Sequence, residues 1–364
     1  MSKKHILLFC LFFSRFLAAQ TPVDLTNFDK KSGVQATLAN DVLQITWPVK
    51  KTEAGRMIFN LKRDEPLFQS IQISSENSFT EIASNLNPEF LLTVGKRDLT
   101  KGSGWNIFFD ITGYLANETY NIKLDKKNVK VSSDGSRTKI TFSAMNAGDF
   151  TGHLEITLYN GSSLFNVAAV MTSPRDSTAI VYDAGMVSTE PAWKEVFWAD
   201  PMDILQSKKV IPKEQSKNLA VKYRTIIGES TGGSLAILPS PHQFFYPQDN
   251  AYNLKYTWYG NNYRNMISGY GIGIRQELMG DLRFVPWFNA PPDQHKVFFV
   301  CLAPIKMGRS LKRQKRSPIT TLINRFQVTK LWPVIFIQNM LMTYLPTSLY
   351  QRSRDMLPLS KIWV

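Results

Sequence analysis

Between residues 180 and 290, aromatic side chains recur in the company of Asn, Gln, Arg and Pro. Trp193 and Trp198 come first. His242-Gln243-Phe244-Phe245-Tyr246-Pro247-Gln248-Asp249 and Tyr256-Thr257-Trp258-Tyr259-Gly260-Asn261-Asn262-Tyr263-Arg264 follow, then Arg283-Phe284-Val285-Pro286-Trp287-Phe288-Asn289. Such a set suits one kind of chemistry. Ring faces stack on sugar C–H groups while planar amides and guanidinium forks hydrogen-bond hydroxyls, and on loops over a sheet they would line a glycan cleft. Trp258, Tyr259, Asn262, Tyr263, Arg264 and Trp287 are the candidates for carbohydrate contacts. The competing reading is plain packing, because large rings on strands usually fill a core.

Reaction chemistry is less clearly marked. His153, His242 and His295 lie far apart in sequence and show no ligand spacing. Each reads as structural before it reads as a metal ligand, and no metal site or other cofactor is expected in this chain. His242 stands out because it shares an aromatic segment with Asp249, where the two could act as acid and base on a bound sugar. Asp183, Glu195, Asp200, Asp249 and Glu277 could include a carboxylate pair for glycoside hydrolysis, but no spacing selects one. Gly269-Tyr270-Gly271-Ile272-Gly273 lacks the strand-to-helix context of a nucleotide loop and reads as a glycine-loosened strand or bulge.

The elements that must position these residues are strands. Val42, Leu43, Ile45 and Trp47 predict a half-buried strand after Asn40-Asp41, and Met57 to Leu61 another after Gly55. Trp105 to Phe109, after Gly104, predicts a third. Asn128 to Val131 turns through Ser133-Asp134-Gly135-Ser136 into Lys139 to Phe142, which is a strong hairpin pattern. Leu154 to Leu158 turns through Asn160-Gly161 into Leu164 to Val167 in the same way. Alternation of this kind puts one face in a core and one in solvent, as antiparallel sheets allow. No amphipathic helix of ten or more residues and no fixed-period repeat is evident. The fold class expected is all-β, a large antiparallel sandwich or supersandwich over residues 20–300, either one domain or two packed ones.

The two ends differ from this body. Lys3, Lys4 and the apolar run Ile6 to Phe13, then Ser14-Arg15-Phe16-Leu17-Ala18-Ala19, have the layout of a secretory signal peptide over residues 1–19. The run is too short for a bilayer span of roughly 20 residues. An exported, periplasmic or extracellular protein is expected. The cysteines are Cys10 and Cys301, so loss of the signal leaves one and no internal disulfide. Of 43 Lys and Arg and 29 Asp and Glu, 11 basic residues and one acid lie from Cys301 onward, and three basic residues and no acid within 1–19. Residues 20–300 keep 29 basic and 28 acidic residues. The high pI therefore comes from the ends and argues against nucleic-acid binding by the body.

The run Trp258-Tyr259-Gly260 to Gly269-Tyr270-Gly271-Ile272, followed by Arg283 to Pro292, resembles secreted proteins, chiefly of the Bacteroidota. In these a large β-sandwich region precedes a metal-dependent hydrolase domain of the PHP-like type, and that region is similar to the galactose-mutarotase-like supersandwich of carbohydrate-active enzymes. The resemblance covers about residues 30–300 and assigns no catalytic residue. It implies a hydrolase domain after residue 300, and a divalent metal for that domain alone.

Residues 301–364 do not read as such a domain. Lys312-Arg313-Gln314-Lys315-Arg316 is a basic run, and Leu331 to Ile337 and Met340 to Met342 are apolar without periodicity. A disordered tail or an interfacial segment would account for this. The reading taken here is a third one, that residues 301–364 are translated out of frame after about residue 300, in place of the expected hydrolase domain, and are poorly ordered. Codons rebuilt from the last base of each residue and the first two of the next give Ala from Trp332-Pro333 and Asp from Met342-Thr343. Between them the code permits a His-x-His-x-x-His cluster suited to Zn²⁺. Sequencing the locus decides this.

The function expected is a non-catalytic, carbohydrate-binding or substrate-positioning β-sandwich of a secreted hydrolase, with a glycan as ligand. The alternatives are a mutarotase-like epimerase or lyase in its own right, and a structural or adhesion module. Oligomeric state is not legible from the sequence.

Overall fold

The computed structural model describes residues 21–75, 78–97, 115–239, 255–279, 287–293 and 296–305. Their regular structure is strand apart from one short 3₁₀ turn at Lys30–Ser32. The signal region, Trp105 to Phe109, His242, Asp249, His295, Arg283 to Pro286 and the tail beyond 305 lie outside them. Among the described residues no helix is long and apolar enough to cross a membrane.

The strands form two sheets. In spatial order the first holds β1 (Val23–Asp24), β8 (Lys123–Asp134), β9 (Arg137–Ala147), β10 (Phe150–Tyr159), β11 (Phe165–Thr172), β21 (Lys296–Ile305), β17 (Ser234–Leu238), β16 (Ile226–Glu229), β13 (Glu195–Ala199) and β14 (Leu205–Lys209). The second runs β15 (Lys217–Leu219), β18 (Thr257–Tyr263), β19 (Ile267–Ile274), β12 (Thr178–Ser188), β6 (Ser78–Lys96), β5 (Phe68–Ser75), β4 (Glu53–Asn60), β3 (Val42–Lys50) and β2 (Gln35–Ala39). Off this path, β7 (Asn117–Asn121) pairs with β6 and β20 (Phe288–Asn289) with β12. All the pairings are antiparallel except β1 with β8 and one isolated bridge, so the fold is an all-β sandwich.

The predicted hairpins form in the expected register. Asp134 faces Arg137 across the Gly135 turn, and Leu158 faces Phe165 across Asn160-Gly161. Gly135 (φ 57°) and Gly161 (φ 84°) supply the left-handed backbone these turns need. Strand β3 shows why alternation specifies the sandwich. Leu43, Ile45, Trp47 and Val49 point into the core while Val42, Gln44 and Thr46 are only half-buried. One continuous apolar cluster, from Val34 to Ala290, fills the space between the sheets. Each fully buried large apolar side chain in it contributes about 1.5–3 kcal/mol.

The change of sequence character near residue 300 does not coincide with the end of a strand. Strand β21 runs through Cys301 to Ile305, and its backbone pairs with β11 on one side and β17 on the other.

Candidate functional site

Six side chains were singled out as carbohydrate contacts, and the backbone sorts them. On β18, alternation turns Trp258 to the outer face of the second sheet and Tyr259 to the inner one. Tyr259 joins the inter-sheet core and stacks on Trp198, with ring centroids 6.1 Å apart. A β-bulge lies between Asn261 and Tyr263, where Asn262 has a left-handed φ of 55°. The extra residue reverses the alternation. Tyr263, which would otherwise follow Tyr259 inward, therefore stacks on Trp258 at 4.0 Å and 12°.

The outer face is built to receive these rings. Gly185, Gly271 and Gly273 lie under Trp258, and a Cβ at any of them would fall within 2.6 Å of its indole. Leu91, Val187 and Ile267 complete the cluster. Trp258 is fully buried and Tyr263 and Trp287 nearly so. Trp287 packs further along β12 on Ala179 and Val181, and Arg97 donates to its carbonyl at 2.5 Å. As described, the rings chosen for sugar stacking present their faces to protein. Asn262 stays half-buried at the hairpin tip, where its Nδ2 donates to Asn265 Oδ1 at 2.9 Å.

Asp183 holds this arrangement together. It lies on β12, 2% exposed, on the same face as Trp258. Its Oδ1 accepts from Gln276 N at 3.0 Å. Its Oδ2 accepts from the Tyr263 hydroxyl at 3.1 Å and from Arg264 Nη1 at 3.0 Å. A buried carboxylate needs such an opposite charge and filled lone pairs to be tolerated. Burial, with the nearby Asp183 charge adding to it, pushes the Tyr263 phenol well above its ordinary range, so that it stays a donor.

Arg264 extends the network to the surface. Its Nη2 donates to Thr119 Oγ1 at 3.2 Å, and Thr119 in turn shares a 2.9 Å hydrogen bond with Thr93. The Arg264 side chain is 27% exposed. Register places Asn121 beside Leu91 and Thr119 beside Thr93, while Glu89 faces Gly185. Residues two apart on a strand share a face, so Glu89, Asn121, Thr119 and Arg264 border one half-buried polar strip. Asn121 Nδ2 donates to Met266 O at 3.1 Å and pins the hairpin tip to β7. Burial raises the Glu89 carboxyl above its ordinary value, against the pull of Lys123 and a hydrogen bond from Asn121.

Of the sequence candidates, Trp258, Asn262, Tyr263 and Arg264 thus meet at one hairpin on the outer face, Trp287 packs further along β12, and Tyr259 of the same hairpin faces the inter-sheet core. Asp183 appeared only among unsorted acids. Thr119, Asn121, Glu89 and Gln276 gave no signal, because isolated polar residues in strands look alike until the register is known.

No family model matches the chain, and no curated protein matches it. Three solved structures illustrate what it is similar to. A glycosyl hydrolase family 38 protein from Enterococcus faecalis has a TM-score of 0.34 and 10% identity, over 78% of this chain and 32% of that one. An alpha-mannosidase from Enterococcus faecalis V583 has 0.33 and 10%, over 74% and 30%. A protein assigned as an aldose 1-epimerase from Escherichia coli K12 has 0.32 and 6%, over 72% and 100%. The chain spans about a third of the length of the first two, and none of the three assigns it an activity.

Proposed function

We propose that this protein is an exported, non-catalytic saccharide-binding β-sandwich, and that the ligand lies along the outer strip of the second sheet. The observation that carries the reading is the partly exposed Arg264 fork, held by buried Asp183 beside Thr119, Asn121 and Glu89. Fixed guanidinium, amide, hydroxyl and carboxyl groups side by side match the donor and acceptor pattern of adjacent sugar hydroxyls. With Trp258 and Tyr263 buried, recognition proceeds through hydrogen bonds at the strip rather than through stacking on those rings.

Binding is favoured over catalysis because both Asp183 oxygens already accept hydrogen bonds and the residue is buried. The test is a saccharide thermal-shift screen and glycan array on the whole protein, followed by calorimetry on the best hit. Arg264→Ala is expected to weaken binding at least tenfold while the fold is retained by circular dichroism. A hit whose affinity is the same in Arg264→Ala, or no hit at all, removes the reading.

A further inference from the structure

The outer face of the second sheet continues beyond the strip. In sheet order β5, β4, β3 and β2 lie on one side of β6, while β12, β19 and β18, which carry Asp183 and the Arg264 hairpin, lie on the other. Register sets Gln35, Thr46, Arg56 and Gln72 side by side across β2 to β5, with Thr37 and Gln44 as neighbours one row along. Ile45, Met57 and Ile71 alternate with them into the core, so this row faces outward.

Arg56 is the informative residue. It is half-buried, and its guanidinium lies over the Phe79 ring, 3.5 Å from the ring centre. Its Nε donates to Thr46 Oγ1 at 3.4 Å. Ring and hydroxyl together hold the fork in place. Its Nη groups make no hydrogen bond and no carboxylate pairs with it among the described residues. Glu81, the acid at the far end of the same row, is engaged elsewhere: Ser70 Oγ donates to its Oε2 at 2.7 Å, and Gln72 Nε2 donates to Ser70 Oγ at 3.0 Å. Toward the other edge, the side chains of Gln35, Thr37 and Gln44 make no hydrogen bond among the described residues. The row is therefore satisfied on its β5 and β6 side and uncommitted from β4 to β2.

Water satisfies isolated amides and hydroxyls on an open sheet face, but a fixed guanidinium without a counter-ion calls for an anion. A planar fork matches a carboxylate. The neutral amides and hydroxyls beside it match ring hydroxyls, and adjacent strands lie about 4.7–4.9 Å apart, close to the reach of one pyranose from its carboxylate to those hydroxyls. We propose that Arg56, Thr46, Gln44, Thr37 and Gln35 form a second saccharide site that takes a uronate unit of an acidic glycan, with the carboxylate on the Arg56 Nη groups and the hydroxyls on the β2 and β3 side chains. The site shares no residue with the outer strip and lies across β6 from it.

Calorimetry on the whole protein tests it with oligosaccharides of galacturonate, glucuronate and mannuronate. Maltotriose is the neutral control, and a capped Gly-Glu-Gly peptide supplies a carboxylate without a sugar. Saturable binding of at least one uronate is expected, at least tenfold tighter than that of maltotriose or the peptide. Arg56→Ala should weaken it at least tenfold, and Arg56→Gln should do the same and carries the test if Arg56→Ala fails to fold. Gln44→Ala should weaken it less. Lys139→Ala on the first sheet should leave it unchanged. The proposal is overturned if no uronate binds saturably, if affinity survives in the Arg56 variants, or if maltotriose or the peptide binds as tightly. A glycan whose affinity falls in Arg264→Ala but not in the Arg56 variants reports the outer strip and overturns this site, so the two readings fail separately.

Discussion

Trp47 and Trp258 are both fully buried and both lie over glycine, yet they are covered in different ways. Trp47 sits between the sheets: a Cβ on Gly55 would fall 2.3 Å from its ring, Phe165 meets it edge-on, and Nε1 donates to Ser162 O at 2.9 Å. Its cover is a second sheet. Trp258 sits on the outer face over Gly185, Gly271 and Gly273, and its cover is Tyr263. Its Nε1 has no hydrogen-bond partner among the described residues. The inner layer is thus shared among many strands, while the outer layer is closed by one hairpin tip fastened through Asp183, with Thr119 and Asn121 of β7 as further anchors. A small change can open the second without disturbing the first.

The largest effects test that contrast directly. Asp183→Ala strands the Arg264 guanidinium and the Tyr263 hydroxyl, and breaking a buried pair in this way costs about 3–5 kcal/mol. Trp47→Ala should cost a similar amount, about 3–5 kcal/mol, through lost burial and the space left behind. Hydrogen exchange separates them. Asp183→Ala should lose protection first over residues 258–274, whereas Trp47→Ala should lose it across both sheets. Even loss of protection in Asp183→Ala would break the comparison.

Lys126 in the first sheet offers another case, a buried charge whose hydrogen bonds go to backbone carbonyls, with Glu65 and Asp64 nearby. Its Nζ donates to the carbonyls of Asn60, Lys62 and Glu65 at 3.0, 2.7 and 2.6 Å, and burial lowers its pKa from 10.5 to about 8. Between these values the unfolded chain binds more protons than the folded one, so stability rises with pH across that window. The full rise is about 3 kcal/mol, complete by about pH 10.5. Urea melts from pH 7.5 to 10.5 should show it, and Lys126→Met should remove that part of the slope.

Next in size are the glycine floors. A Cβ at Gly271 would lie 2.6 Å from Trp258 and 2.7 Å from Val187. Gly271→Ala and Gly55→Ala should each cost about 1–3 kcal/mol by overpacking. Only the first should also weaken saccharide binding, because displaced Trp258 moves Tyr263 and with it Arg264. Equal binding in both variants would detach the outer floor from the strip.

The contrast also explains what was legible in the sequence. Leu43, Ile45 and Trp47 announce their strand through alternation, and Asp134-Gly135 and Asn160-Gly161 announce their turns, because period and turn chemistry are local properties. The aromatic segment from Tyr256 to Arg264 was visible as a composition but not as a geometry. The bulge at Asn262 decides which rings face outward, and one inserted residue changes every later side chain on the strand. The adjacent Asn261-Asn262 was the available hint, since Asn tolerates left-handed backbone. Asp183 and Arg264 are 81 residues apart, and their pairing follows from sheet order, to which no local pattern gives access.

The smallest effect probes the last link from hairpin tip to surface. Thr119→Val keeps the shape of a β-branched side chain on β7 but removes the oxygen that accepts from Arg264 Nη2 and the bond shared with Thr93. A single hydrogen bond of this kind contributes about 0.5–1.5 kcal/mol. If Thr119 acts through Arg264, its loss in the wild-type background should exceed its loss in Arg264→Ala. A double-mutant cycle measures that difference, because it isolates the coupling between neighbours. A coupling near zero would mean that Asp183 alone aims the guanidinium. A coupling close to the whole single-mutant effect would mean that the strip's geometry is set jointly by β7 and β12, across the intervening β6, as the Thr119 and Asp183 contacts to one guanidinium require.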